Sequence, residues 1–362
     1  MLSKLYISII VPFYNAETHI KNCLDGLKNQ EFSKPFEVIM IDDGSTDNSQ
    51  NLVKKYDFPG LILHSLPKNS GPGAARNVGL KKAKGEYIFL IDVDDSIDPY
   101  TLTILYNSAN ENNYDFVFSD FKRIENSKNL RENFFNYLTD KTFKKKDLEE
   151  SMKEQVHFNN FGHLGLFGIN GRLIKRSIIN DNNILFEEKL RYLEDETFAW
   201  DVVSSISNAK YIRKQLYSYY VYPNTNSAVS TGLDQGFPIS DFKLVQRHVK
   251  NCLKQNSFSF KNVEILGDQA FIFYLITALV SYSRCMFNGK VNFTNGLLRR
   301  REFINKIITD PDVKGSIKNY SCLKGESAWI PKAIAWRFRW FLEFACNKRA
   351  KELVKIVKKN YK

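Results

Sequence analysis

The sequence predicts an α/β fold, a mixed and mostly parallel sheet with helices on both faces, followed by a smaller, mainly α-helical C-terminal region. Three observations carry that expectation. Short β-branched runs alternate with helical periodicity through the first hundred residues, those runs end in polar clusters, and the strand signal fades into helical spacing beyond residue 232. Ser8-Ile9-Ile10-Val11-Pro12 is a buried strand closed by proline, and Glu17 to Gln30 is helical through Ile20, Leu24 and Leu27. Glu37-Val38-Ile39-Met40-Ile41 is a second strand running into Asp42-Asp43-Gly44-Ser45-Thr46-Asp47, and Ser49 to Tyr56 is helical again. Leu61 to His64 and Tyr87 to Ile91 supply two more strands. Continuous apolar strands of this kind are covered on both faces. Ligands of such sheets bind beyond the carboxyl ends of the strands, where Asn15, Asp42, Asp43, Asp92 and Asp94 all fall.

The run Ile88-Phe89-Leu90-Ile91-Asp92-Val93-Asp94-Asp95 packs three carboxylates into four residues at the end of an apolar strand. Like charges that lose hydration together call for a counter-charge. Hard oxygen donors suit Mg²⁺ or Mn²⁺, and magnesium is usually shared between one or two carboxylates and substrate phosphates. The plain alternative is an Asp-rich turn before a helix that starts at Asp98-Pro99, and these residues alone leave both readings open.

Four motifs in order resemble glycosyltransferase family 2: Ile10-Val11-Pro12-Phe13-Tyr14-Asn15, Ile41 to Asp47, Asn69-Ser70-Gly71-Pro72-Gly73-Ala74-Ala75-Arg76-Asn77-Val78-Gly79, and Asp92-Val93-Asp94-Asp95. The resemblance implies a GT-A fold, Rossmann-like, that binds a UDP-sugar. It makes Pro12, Tyr14, Asn15, Asp42, Asn69, Arg76 and Asp92 the nucleotide-sugar-binding set. Pro12 and Tyr14 would pack on base and ribose. Asp42 is favoured over Asp43 as the uracil acceptor, because Asp43-Gly44-Ser45 also reads as turn chemistry capping the next helix. Gly71 and Gly73 let the chain pass close to a ligand, and Arg76 would reach the diphosphate or hold the carboxylates in place. Asp94 would ligate Mn²⁺ or Mg²⁺ directly, with Asp92 on the ribose or the metal and Asp95 behind them.

Further along, Gly171 to Arg176 and Tyr192-Leu193-Glu194-Asp195-Glu196 resemble the second half of the same family, whose catalytic base corresponds to Asp195. A carboxylate there would take the acceptor hydroxyl proton as the oxygen attacks the anomeric carbon, inverting its configuration in one displacement. Neighbouring residues on a helix point in different directions, so one of Glu194, Asp195 and Glu196 is expected to face the cleft. The competing reading is an acidic first turn favoured by the helix dipole. His157 and His163 read as structural or acceptor-contacting, and Tyr217 to Tyr222 as an aromatic strand closing the domain.

The expected organisation is a catalytic domain over 1–232, divided into a nucleotide-sugar half (1–100) and an acceptor-side half (101–232), and a helical accessory region over 233–362. The boundary is set near Val229 to Pro238. Ala270 to Val280 is apolar but too short to span a bilayer, and reads as a buried helix. Five scattered cysteines, Cys23, Cys252, Cys285, Cys322 and Cys346, and the want of a signal peptide fit a reduced cytoplasmic chain. The net charge of +12 is concentrated at the end: residues 331–362 hold ten Lys or Arg against two Glu, interleaved with Trp336, Phe338, Trp340, Phe341 and Phe344. A basic, aromatic-edged amphipathic helix suits an anionic membrane surface, with peripheral attachment to the inner face of the inner membrane. Packing of its stripe on the enzyme, a homodimer, or capture of an anionic glycan are the rival readings. Nucleic acid is excluded as a partner because it leaves the acidic cluster without a purpose.

The whole reads as an inverting, metal-dependent transfer of a hexose or N-acetylhexosamine from a UDP-sugar to a glycan or lipid-linked glycan acceptor in bacterial surface polysaccharide synthesis. A nucleotidyltransferase would want a glycine- and lysine-bearing turn after the first strand, which Pro12 to Glu17 does not have. A non-catalytic glycan- or nucleic-acid-binding module is the alternative of a different class.

Overall fold

The computed structural model describes residues 4–125, 128–130, 139–156, 164–190, 192–221, 237–287, 293–322 and 327–360. His157, His163, Tyr222 and most of the expected boundary stretch lie outside them. The chain forms two compact units, one of Met1–Ser151, Phe161–Leu190 and Glu194–Pro223, the other of Met152–Asn160, Arg191–Leu193 and Asn224–Lys362.

The first unit is built on one ten-stranded sheet. Strand β1 (Ile7–Phe13) has all seven residues buried, as expected of an apolar run covered on both faces. It pairs in parallel with β2 (Phe36–Asp42), which pairs in parallel with β3 (Leu61–Ser65); β4 (Tyr87–Leu90) runs parallel on the other side of β1. Beyond β4 the sheet turns mixed. The remaining strands are β5 (Ser96–Ile97), β6 (Phe116–Glu125), β7 (Lys128–Leu130), β8 (Lys141–Lys144), β9 (Leu173–Lys175) and β10 (Asn208–Val221). Strand β9 lies antiparallel between β4 and β6, β10 is parallel to β6, and β5 and β8 run antiparallel to β10.

Helix α1 (Ile20–Lys28) buries Ile20, Cys23, Leu24 and Leu27 on one face. It starts three residues later than the periodicity predicts, because the N–H groups just before it are already taken: that of Ala16 donates to Ser49 Oγ (2.8 Å) and that of Glu17 to Asp47 Oδ2 (3.1 Å). Helices α2 (Ser49–Lys54) and α3 (Pro72–Lys82) follow β2 and β3. Proline opens α3, where its missing N–H costs nothing. A side chain at Gly79 would bring its Cβ to 2.4 Å from Ile10, so α3 lies directly on β1. Four further helices belong to the α/β part of the chain, α4 (Thr101–Glu111), α5 (Lys145–Gln155), α6 (Leu164–Phe167) and α7 (Arg176–Asp181), and α8 (Glu194–Ser205) is anchored by the fully buried Phe198 and Trp200.

The second unit is helical: α9 (Ile239–Gln255), α10 (Phe260–Phe287), α11 (Phe293–Thr309), α12 (Pro311–Ser316), α13 (Trp329–Trp336) and α14 (Arg339–Asn360). Its core joins Phe237, Phe242, Tyr282 and Phe303 in edge-on and tilted ring contacts. By length and composition α10 is apolar enough to cross a membrane, yet 78% of its apolar window is buried, so it is a core helix. On α14, Leu342, Cys346 and Ala350 are buried at helical spacing. Cys23 and Cys346 are buried thiols outside any disulfide.

Candidate active site

The ends of β1, β2 and β4 bring the first three motifs and the carboxylate cluster to one edge of the sheet. Asn15 sits in the left-handed region (φ 48°) just past β1. Its side-chain carbonyl accepts from the Thr46 N–H (2.8 Å), while its own N–H donates to Ser45 Oγ (2.9 Å). Asn15 therefore fastens the first motif to the second, a backbone-shaping task beside the ligand contact expected of it. Asp42, buried, accepts from the Ser45 N–H (2.8 Å) and Gln50 Nε2 (3.1 Å). The turn-forming chemistry that the sequence attributed to Asp43 is thus carried by Asp42. Asp43 reaches instead across to the third motif, where its two oxygens accept from the N–H groups of Ser70 (2.7 Å) and Gly71 (2.8 Å). The turn closes tightly at Gly44 (φ +74°), where a Cβ would fall 2.6 Å from the Lys68 backbone. Pro12 is buried beside Ile41, Tyr14 is exposed at the mouth of β1, and Asn69 is exposed in the loop before α3.

Arg76 is the hub of the site. It projects from α3, buried, and donates from Nη2 to Asp92 Oδ1 (2.8 Å) and from Nη1 to Glu194 Oε1 (3.4 Å), with its guanidinium 5.4 Å from the centre of the Phe186 ring. Burial opposes its charge, but Asp92 and Glu194 hold it protonated above its ordinary range. The other oxygen of Asp92 accepts from Asn170 Nδ2 (2.7 Å). Asn170 is placed by a bridge to Leu90 and by the following glycine: the Gly171 N–H donates to the Leu90 carbonyl (2.9 Å), φ is +70°, and a Cβ there would lie 2.6 Å from the Tyr217 ring. Asp95 is buried and accepts from the Tyr217 hydroxyl and from the Tyr220 N–H (3.0 Å), which ties the cluster to β10.

At the start of α8 the three acidic neighbours part, as helix geometry requires. Glu194 is buried against Arg76, Glu196 is half-buried and Asp195 is exposed. Asp195 Oδ1 accepts from the Glu196 N–H (2.9 Å). Although part of Asp195 opens to solvent, the protein packed around its carboxyl desolvates it and pushes it above the usual range, opposed by Arg76. Burial and the Asp195 charge push Glu194 up to about 7. Burial, then Asp92, raises Asp94, and raises Asp95 well above its ordinary value.

Asp92 and Glu194 thus pair with one buried cation, with Asp195, Asp94 and Asp95 close by in sequence, and the carboxyls of Asp94, Asp95, Glu194 and Asp195 are raised. That surplus of negative charge, made of hard oxygens, fits a divalent cation such as Mg²⁺ or Mn²⁺. Half-exposed Asp94 and Asp92 are the carboxylates that would hold such an ion, and each oxygen of Asp92 accepts one protein donor and keeps a further lone pair. Asp43, Glu194, Asn170, Asn77 and Tyr217 are tied into this network and are absent from the expected set. Asn77 holds the loop before α8 through the Phe186 backbone, donating to its carbonyl (2.9 Å) and accepting from its N–H (2.8 Å). The acidic doublets flagged Asp43 and Glu194, whereas nothing local marks an isolated Asn170.

The profile described as Glycosyl transferase family 2 matches residues 8–169. A poly(ribitol-phosphate) beta-glucosyltransferase of Bacillus spizizenii is 35% identical over 196 residues, which is 53% of this chain and 28% of that protein. Poly(ribitol-phosphate) beta-N-acetylglucosaminyltransferase TarS of Staphylococcus aureus is 30% identical over 215 residues, 59% of this chain and 35% of TarS. The chain therefore spans about a third of the length of these curated relatives. Crystal structures of S. aureus TarS 1–349 in complex with UDP and with UDP-GlcNAc superpose with a TM-score of 0.67, at 21% and 20% identity, covering 96% of this chain and 92% of the other. The fold is shared with TarS across nearly the whole chain.

Proposed function

We propose, from the match of residues 8–169 to the glycosyl transferase family 2 profile, that this chain transfers a hexose or N-acetylhexosamine from a UDP-sugar, with inversion, to a hydroxyl of a bacterial surface glycan or polyol-phosphate polymer. One observation carries the reading: Arg76 ties Asp92, at the end of β4, to Glu194, beside Asp195 at the start of α8. Residues 118 apart in sequence are thereby held in one hydrogen-bonded constellation, with a phosphate-side carboxylate at one end and an exposed carboxylate at the other.

Asp195 is the general base. Its raised proton affinity suits removal of an acceptor hydroxyl proton, since a base works best with a pKa near the operating pH. Burial and, after it, Asp92 set that affinity, and Arg76 favours the charged form of both Asp195 and Glu194. Asp94, with Asp92, would hold Mn²⁺ or Mg²⁺, which when bound neutralises charge on the departing nucleoside diphosphate. Pro12, Tyr14 and Asn69 line the nucleotide end, and Asp42 and Asp43 shape it. TarS was crystallised with UDP and with UDP-GlcNAc, which supports a UDP-sugar donor, and the names of both relatives support a poly(ribitol-phosphate)-like acceptor. The reaction is assigned to the cytoplasm, where UDP-sugars are made.

The test is release of nucleoside diphosphate from UDP-, GDP-, dTDP- and CMP-sugars with Mn²⁺, Mg²⁺ or EDTA. Turnover of a UDP-sugar is expected only with metal, and both Asp94→Asn and Asp195→Asn should reduce it by about 10² or more. Turnover that survives Asp195→Asn would sink the assignment of the base, and turnover in EDTA the role of the cation.

A further inference from the structure

The corner between α13 and α14 is built to meet something apolar. Residues Ala335, Trp336, Arg337, Phe338, Arg339 and Trp340 are six consecutive exposed residues, and Trp329 and Phe344 are exposed beside them. The five rings of Trp329, Trp336, Phe338, Trp340 and Phe344 are between 50% and 70% exposed. Half-buried Phe341 joins four of them, with ring centres at 5.7 Å from Trp329, 6.3 Å from Trp336, 6.0 Å from Trp340 and 6.5 Å from Phe344, and Phe338 completes the set at 6.3 Å from Trp340. At the usual area of an aromatic side chain this exposes on the order of 500 Å² of ring surface in one patch, near the upper end for a protein with no partner. Three of the four tryptophans of the chain lie here, while the fourth, Trp200, is fully buried.

The corner is ordered from within. The N–H of Phe338 donates to the Ala333 carbonyl (3.2 Å) and that of Arg337 to the Ile334 carbonyl (3.1 Å), the paired bonds that close a helix C-terminus. Such a closure normally uses glycine at the left-handed position, and here Arg337 takes it at φ 59°. A residue with a side chain is uncommon at that position and glycine would serve the backbone better, which makes the Arg337 side chain a candidate for a role at the surface. Below the patch, Ala333, Ile334, Leu342, Ala345 and Cys346 are buried and fix the two helices.

The charge around the rings is positive. Lys332 lies 5.4 Å from the Trp329 ring centre, and Arg337 has no carboxylate partner among the described residues. Arg339 meets Glu343 only at 3.9 Å, and Lys348, Lys351 and Lys355 are exposed further along α14. Indoles and arginines alternating on a protruding, preformed corner match the boundary of a bilayer, where rings sit at headgroup depth and cations pair with phosphates. We propose that the α13–α14 corner docks this protein on an anionic lipid surface, with Trp336, Phe338 and Trp340 entering the headgroup layer and Arg337 and Arg339 holding lipid phosphates. This docking stands apart from the transfer reaction and does not depend on it. A soluble glycan would be gripped better in a groove than on a protruding corner.

The test uses the full chain with vesicles of phosphatidylcholine, alone or with about a third phosphatidylglycerol. Co-sedimentation with the anionic vesicles is expected, falling as salt rises. Arg337→Glu with Arg339→Glu should weaken it about tenfold or more, and Phe338→Ser with Trp340→Ser to a similar degree. All four positions are exposed, so the fold is retained, which circular dichroism checks. Brominated phosphatidylglycerol vesicles should quench the exposed indoles of the wild type and not those of the Arg337→Glu, Arg339→Glu variant. Equal binding to neutral and anionic vesicles, or none to either, would overturn the proposal. So would a wild-type dimer that Trp340→Ser dissociates, which would assign the face to a second copy, or patch-dependent binding of a soluble polyanionic glycan in the absence of vesicle binding.

Discussion

Replacing Arg76 by methionine removes the buried cation that pairs with Asp92 and Glu194 while keeping most of its volume. The cost follows from the two ion pairs. The pair with Asp92 is close, at 2.8 Å, but the Asp92 side chain is a third exposed, so its loss is discounted to about 1–2 kcal/mol rather than the 3–5 kcal/mol of a fully buried pair. Glu194 behaves differently, because it can escape by taking up a proton. With a pKa raised from 4.5 to about 7, its burial costs stability that grows as pH rises from 4.5 and levels off above 7. Without Arg76 the folded pKa moves higher, so that cost keeps growing past pH 7 by about 1.4 kcal/mol per pH unit. Arg76→Met is therefore expected to cost about 1–2 kcal/mol at pH 6 and about 1 kcal/mol more at pH 8. Urea unfolding at pH 6, 7 and 8 measures this, with Arg76→Met, Glu194→Gln as the control that carries no titrating carboxyl. A cost that does not change with pH, or a double variant with the same pH-dependent excess as the single one, would refute the argument that Arg76 keeps Glu194 ionised.

Gly171→Ala forces a Cβ to within 2.6 Å of the Tyr217 ring at φ +70°, and should lower stability by about 2–4 kcal/mol in thermal melts; a loss under 1 kcal/mol would show that β10 yields. Tyr217→Phe leaves one oxygen of buried Asp95 without its hydroxyl donor and is expected to cost about 1–3 kcal/mol in thermal melts; a loss under about 0.5 kcal/mol would show that the hydroxyl is replaceable there. Asp310→Ala removes the cap of α12, where the carboxylate accepts from the Asp312 N–H (2.9 Å) and Val313 N–H (3.2 Å) and pairs with Lys243 Nζ (2.8 Å), for an expected loss of about 1–2 kcal/mol. The Asp310 pKa is lowered, although burial opposes this, by Lys243 and the cap N–H groups; its contribution is thus present above the unfolded value of 3.8 and fades as pH falls through the lower folded one. Melts at pH 7 and pH 2.5 should show the difference between wild type and variant shrinking at the acid end.

The sequence by itself determined the identity and polarity of the first four strands. Runs such as Ile7 to Phe13 are apolar at every position but Ser8, the near-continuous pattern of a strand with both faces buried. It also placed the acidic cluster at a strand end and an acidic doublet at a helix start, since these depend only on neighbours along the chain. Tertiary structure decided what those carboxylates do. Asp42 and Asp43 are adjacent and alike, and only the fold shows one closing its own turn and the other reaching 27 residues onward to Ser70. The pairing of Asp92 with Glu194 through Arg76, and the placing of Asn170 beside Asp92, arise from β9 entering the sheet antiparallel next to β4, a crossing no local pattern announces. The basic aromatic tail could be read from its composition, but whether its rings pack inward or face out was settled by the closure at Arg337, which turns six consecutive residues to the surface. Periodicity records which residues prefer burial; charge pairing and exposure depend on which distant segment arrives opposite them, and that is set by the assembled fold.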